Sequence, residues 1–174
     1  MLLKKLILIF FIAAVFSFFT ACGKTCGENG NSAGDIVTNF TSNADVTIDG
    51  EKIKCSVSRD IQGLTNITIK EPKVLEGMTY SWNGNGYGVS YHNLSCNTET
   101  AFIPDNSFAA AINNVLDATK DLESLNCDSN KNGYTAYSGD SRSGKFILTV
   151  SNSDGAINKI EIKDLNLVAQ LEPQ

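Results

Sequence analysis

The strongest constraint on the fold is a pair of alternating stretches, each broken by a short glycine-containing turn. ADVTI (Ala44 to Ile48) and EKIKCSV (Glu51 to Val57) flank Asp49-Gly50. An Asp-Gly pair tolerates positive φ at both positions of a two-residue loop, so these runs fold back as a hairpin with Val46 opposite Ile53. Further on, MTYSW (Met78 to Trp82) and YGVSY (Tyr87 to Tyr91) flank Asn83-Gly84-Asn85-Gly86. A four-residue loop there sets Trp82 opposite Tyr87, Tyr80 opposite Val89 and Met78 opposite Tyr91, so one face is almost wholly aromatic or apolar. The reverse face carries Thr79, Ser81, Gly88, Ser90 and His92, as a sheet with one wet side requires.

The same pattern predicts strands over Ile36 to Phe40, Asn66 to Glu71, Leu94 to Thr98, Tyr134 to Ser138, Phe146 to Ser151, Ile157 to Lys163 and Asn166 to Leu171, with a turn at Asp154-Gly155. A single helix interrupts them. Ser107 is its N-cap, and Phe108, Ile112, Val115, Thr119 and Leu122 recur at spacings of three and four. Asn113, Asn114, Asp117, Lys120, Asp121 and Glu123 fall elsewhere on the wheel. An apolar stripe must cover something, and the apolar sheet face is the available partner. The expected class is mainly β (α+β), roughly ten antiparallel strands around one main helix.

The N-terminus reads as an export signal. Lys4 and Lys5 precede a fourteen-residue apolar run, Leu6 to Phe19, within the length of a secretory core and short of the roughly 20 residues of a spanning helix. Thr20 and Ala21 then precede Cys22, with Gly23 after it. This resembles the lipobox of bacterial lipoproteins, with Phe19 where Leu is usual, and implies cleavage before Cys22 and acylation of its thiol. The competing reading, an ordinary signal cut after Ala21, leaves the cysteine to chance. The expected organisation is a cleaved signal over 1–21, a lipidated N-terminus and Gly-rich flexible tether over 22–34, and one domain over 35–174. Anchoring on the outer face of the bacterial cytoplasmic membrane follows.

Loss of the first 21 of 174 residues leaves 153, enough for one core. Without Lys4 and Lys5, 12 of the 14 cations remain against 19 acids, a net of about minus seven. Such a chain lacks the electrostatic footprint for nucleic acid or an anionic bilayer, so membrane contact rests on the acyl chains. Cys26, Cys55, Cys96 and Cys127 allow three pairings in an exported protein, or serve as small buried hydrophobes. Long spacings and a single histidine argue against zinc.

Three patterns imitate chemistry. GDSRSGKF (Gly139 to Phe146) fits GxxxxGK but has Phe146 where a P-loop needs Ser or Thr, and a strand follows where a helix is required, so it reads as a loop between strands. Asp128, Asn130, Asn132, Gly133 and Tyr134 match positions one, three, five, six and seven of an EF-hand loop after a helix. Position twelve, however, is Gly139 rather than Glu, and an exit turn has the same composition. The lone His92 has only Ser90 and Ser81 near it and no orienting carboxylate. No cofactor is expected, and the chain reads as non-enzymatic.

EPKVLEGMTYSWNGNGYGVSYHNLSC, the PDNSFAAAINNVLD helix and SGKFILTVSNSDGAINKIEIKDLNLVAQLEP together resemble the LolA-like lipoprotein carrier superfamily, in particular its Gram-positive branch with a spore-germination lipoprotein. The resemblance spans 35–173. It implies a strongly curved, half-open antiparallel sheet closed by helices, and either of two functions. In one, Met78, Tyr80, Trp82, Tyr87, Val89 and Tyr91, with Phe108, Ile112 and Val115 of the helix, line a cavity for a lipid or acyl chain; the same residues would equally serve as the core. In the other, the chain is a binding module for an envelope protein such as a cell-wall hydrolase, and would show an exposed apolar strip or a free strand edge. The acidic, small-residue helix offers little apolar area beyond what the sheet must bury, which favours the binding module.

Overall fold

A computed structural model describes residues 36–84, 86–98 and 103–173. The expected signal and tether, including Cys22, lie outside them. Eleven antiparallel strands form one open sheet: β1 (Phe40–Ile48), β2 (Glu51–Arg59), β3 (Thr65–Glu71), β4 (Thr79–Trp82), β5 (Tyr87–Tyr91), β6 (Leu94–Thr98), β7 (Asn126–Lys131), β8 (Tyr134–Ser141), β9 (Gly144–Ser151), β10 (Ile157–Ile162) and β11 (Leu167–Pro173). Their order is β6-β5-β4-β3-β2-β1-β11-β10-β9-β8-β7, so the chain meanders outward from β1 to β6, crosses to the opposite edge at β7 and meanders back inward to a central β1–β11 pairing, leaving β6 and β7 as edges.

The two founding hairpins have the expected registers. Val46 pairs with Ile53 across a turn in which Asp49 and Gly50 take φ of 48° and 87°, and Trp82 pairs with Tyr87 and Tyr80 with Val89. β4 begins at Thr79, so Met78 stands outside the ladder, its carbonyl accepting from the Ile69 amide at 2.8 Å.

Three expectations are corrected. Ile36 to Phe40 is not a strand: only Phe40 enters β1, and the Val37 amide donates to Gly155 at 2.9 Å. His92 is not on a strand face but in the β5–β6 turn, exposed, at φ 51°. The DxNxNG stretch is not an exit turn from the helix but the hairpin of β7 and β8, turning on Asn132 (φ 56°) and Gly133 (φ 81°), with Asp128 and Asn130 on strand β7.

The helix α1 (Phe108–Ala118) starts as expected, with the Ala110 amide donating to Ser107 Oγ at 3.3 Å. Its burial exceeds what the stripe implies. Every residue from Ala109 to Leu116 is buried, Asn113 and Asn114 included. The three alanines have side chains small enough for the backbone to sit close to its surroundings. Ile112, Val115 and Leu116 meet inward residues such as Val46, Val57, Ile67, Leu148, Ile160 and Ala169 in one core. Burying each of the three large side chains contributes about 1.5–3 kcal/mol. Among the described residues no helix is long and apolar enough to cross a membrane.

Candidate functional site

The structure divides the nine expected cavity residues among three environments. Ile112 and Val115 are core, with 0% of their surface exposed. Phe108 and Tyr80 close the seam between helix and sheet, their rings edge to face at 5.8 Å, and Tyr80 also stacks on Trp82 at 6.4 Å. Burial of the Tyr80 phenol pushes its pKa up. Val89 is partly buried beside them.

Trp82 and Tyr87 lie at one end of the aromatic face, where a cleft of about 240 Å³ opens between the β4–β5 hairpin and α1. Gln62 and Gly63 of the β2–β3 turn, Asp105 ahead of the helix, Asn114 and Asp117 along it, Lys120 just past its end, and Arg142 of the β8–β9 turn stand among its walls. A polar network holds this end in shape. Asn114 Nδ2 donates to Asp105 Oδ1 at 3.1 Å and to Ser143 Oγ at 2.9 Å. Arg59, fully surrounded on β2, donates to Thr65 Oγ1 at 2.8 Å and to Asp117 Oδ1 at 2.8 Å, while Lys120 Nζ approaches the same carboxylate at 2.9 Å and Asn113 Nδ2 donates to its other oxygen at 3.2 Å. Burial alone would push the Asp117 carboxyl up, but hydrogen bonds from Arg59 and Lys120 and their charges outweigh it and hold the pKa below the usual range. Asn113 Oδ1 is buried without a hydrogen-bond partner.

Met78 and Tyr91 lie at the opposite end of the β4–β5 hairpin, where Met78 Sδ accepts from the Tyr80 hydroxyl at 3.7 Å. The Tyr91 hydroxyl donates to the Val74 carbonyl at 2.6 Å, and Tyr91 pairs with Leu94 across β5 and β6. Around it Val74 is 73% exposed, Leu94 75% and Leu75 36%. This apolar strip borders the edge strand β6. A wider hollow of about 550 Å³ on the outer face, around Lys54, Lys70 and Glu71, opens broadly to solvent.

The weak calcium positions are engaged otherwise: Asp128 Oδ1 accepts from Ser138 Oγ and Asn130 Oδ1 from Asn152 Nδ2, each at 2.8 Å. Among the cysteines, Cys127 is disulfide-bonded and Cys55 and Cys96 are free. Sequence reasoning missed Gln62, Asp105, Asn114, Lys120 and Arg142 as cleft residues, since they come from separate turns and a helix face that reads as solvated.

No protein-family model matches the chain, and no curated protein matches it in sequence. Among solved structures it is similar to an uncharacterized conserved protein from Thermus thermophilus, at 10% identity and a TM-score of 0.48 over 82% of this chain and 83% of that one. It is also similar to a LolA superfamily protein from Nitrosomonas europaea, at 11% identity and a TM-score of 0.41 over 82% of this chain and 88% of that one. Both are likenesses of overall shape alone.

Proposed function

We propose that the chain is a lipid-anchored, non-catalytic binding module on the outer face of the bacterial cytoplasmic membrane, docking another envelope or cell-wall protein beside strand β6. The observation that carries this reading is the uncovered strip. Isolated exposed apolar residues are ordinary, but Val74, Leu75 and Leu94 gather around Tyr91 next to a sheet edge. An edge strand offers main-chain donors and acceptors to an extended segment, and a neighbouring apolar strip takes that segment's side chains. The acidic balance of the chain, 19 acids against 14 cations, suits a basic partner segment. A cell-wall hydrolase is the kind of partner the LolA-like resemblance implies. His92 sits in an exposed turn and does not line the cleft.

Carriage of an acyl chain is the second reading, favoured by the run of partly buried rings, Trp82, Tyr80 and Phe108, leading from the cleft into the helix–sheet seam. It requires α1 to leave its place, because Ile112 and Val115 have no exposed surface to offer a ligand.

Crosslinking in the envelope followed by isolation of the mature protein tests the docking reading. A defined partner recovered with wild type and lost with a folded Val74→Lys, Leu94→Lys double variant is the expected result. The same partner recovered equally with the variant, or no reproducible partner with either, would overturn it.

A further inference from the structure

The cleft is a second site, separate from the strip, and its chemistry is specific. Its floor is the indole of Trp82 and the ring of Tyr87, cross-strand neighbours on the concave face. Its walls carry two carboxylates, Asp105 and Asp117, against one ammonium, Lys120, and one guanidinium, Arg142, with the amides of Gln62 and Asn114 between them. Formal charge therefore cancels among the lining side chains, while the buried Arg59 behind them is engaged by Asp117 and Thr65. An anion meets the carboxylates of Asp105 and Asp117 in the same walls, and a cation meets Lys120 and Arg142.

An acyl chain fits no better. Lodged on the rings, it would remove the charged walls from water without returning a single hydrogen bond, which is costly for every group so covered. The volume of about 240 Å³ is below the roughly 300–1,000 Å³ of pockets for drug-sized ligands, so the occupant is about one ring in size.

A neutral ring that presents an apolar face and a perimeter of groups both donating and accepting satisfies all of this. Its flat C–H face lies on Trp82 and Tyr87, and its hydroxyls reach acceptors on Asp105 and Asp117 and donors on Lys120, Arg142 and Gln62. The acceptors are already held in position: Asp105 by Asn114, and Asp117 by Arg59 and Lys120. Little ordering remains to be done on binding. We propose that this cleft binds one residue of a neutral saccharide.

The chain contains one tryptophan, and it is on the cleft floor, so Trp82 fluorescence reads occupancy directly. The mature protein is titrated with N-acetylglucosamine and its β-1,4-linked trimer, and in parallel with a zwitterionic dipeptide and with palmitate. A saturable change in Trp82 emission with the saccharides, weakened about tenfold in a folded Arg142→Ala, Gln62→Ala variant, is the expected result. A silent tryptophan with both saccharides would overturn the proposal. So would saturation by the dipeptide or palmitate instead, or a saccharide response that the variant leaves unchanged. The residues of the strip are untouched by these substitutions, so failure here and failure of the docking reading are separable.

Discussion

Arg59 and Asp117 illustrate how one buried cation shapes the binding end of the molecule. The Arg59 side chain is 1% exposed and that of Asp117 33%, so the pair is asymmetric: removing the carboxylate strands a buried charge, whereas removing the arginine leaves a half-exposed carboxylate that Lys120 still answers. Asp117→Ala is expected to cost about 2–3 kcal/mol and Arg59→Met less than half of that, by urea unfolding. Because the folded pKa of Asp117 lies below its unfolded value, its contribution is complete above about pH 4 and is lost as pH falls through the folded value. Asp117→Asn should therefore flatten the acid limb of stability against pH. The free thiols divide as clearly. Burial pushes Cys55 up to about 12, partly offset by Lys70, whereas Cys96 is exposed on the edge strand. Labelling the folded protein with a maleimide should modify Cys96 quickly and Cys55 only after denaturant is added; equal rates would contradict the buried position of Cys55.

The β8–β9 hairpin explains a motif at the level of the element. Gly139 pairs with Phe146, and a β-carbon on Gly139 would stand 2.7 Å from the Phe146 ring and 3.0 Å from Leu125. The glycine that imitates the start of a P-loop is there to let a core ring lie across the strand. Gly139→Ala is expected to cost about 1–3 kcal/mol, seen as a lower urea midpoint with unchanged slope. The hairpins around Asp49-Gly50 and the Asn83-to-Gly86 loop were legible because turn chemistry and alternation are both local. β7 was not, since NCDSNK has no apolar side to alternate. Its one local signal, Asn132-Gly133 as a two-residue hairpin turn, competed with a ligand spacing that used the same residues. The helix was legible in position and capping but not in depth. Asn113 and Asn114 read as solvated and are buried, because the curled sheet surrounds the helix and Asp117, Asp105 and Ser143 take up their amides.

At the scale of the whole molecule, an open sheet folds over its own helix. Turns far apart in sequence, around Gln62, Asp105 and Arg142, meet at the cleft, which is why composition and periodicity located the aromatic face but neither the cleft nor the strip. The proposed anchoring has its own test: Cys22→Ser should move the protein from the membrane fraction to the soluble one, and an unchanged distribution would refute lipidation at that residue.

The helix α1 is buried against the inward side of the sheet, and the proposed function places recognition at the rim instead of inside. Native mass spectrometry of the mature protein isolated from the envelope, followed by organic extraction, measures this directly. The expected result is the mass of the chain with its covalent acyl groups and nothing further that extracts as lipid. A reproducible excess mass that extracts as lipid and disappears in a folded Trp82→Ser, Tyr87→Ser variant would contradict it.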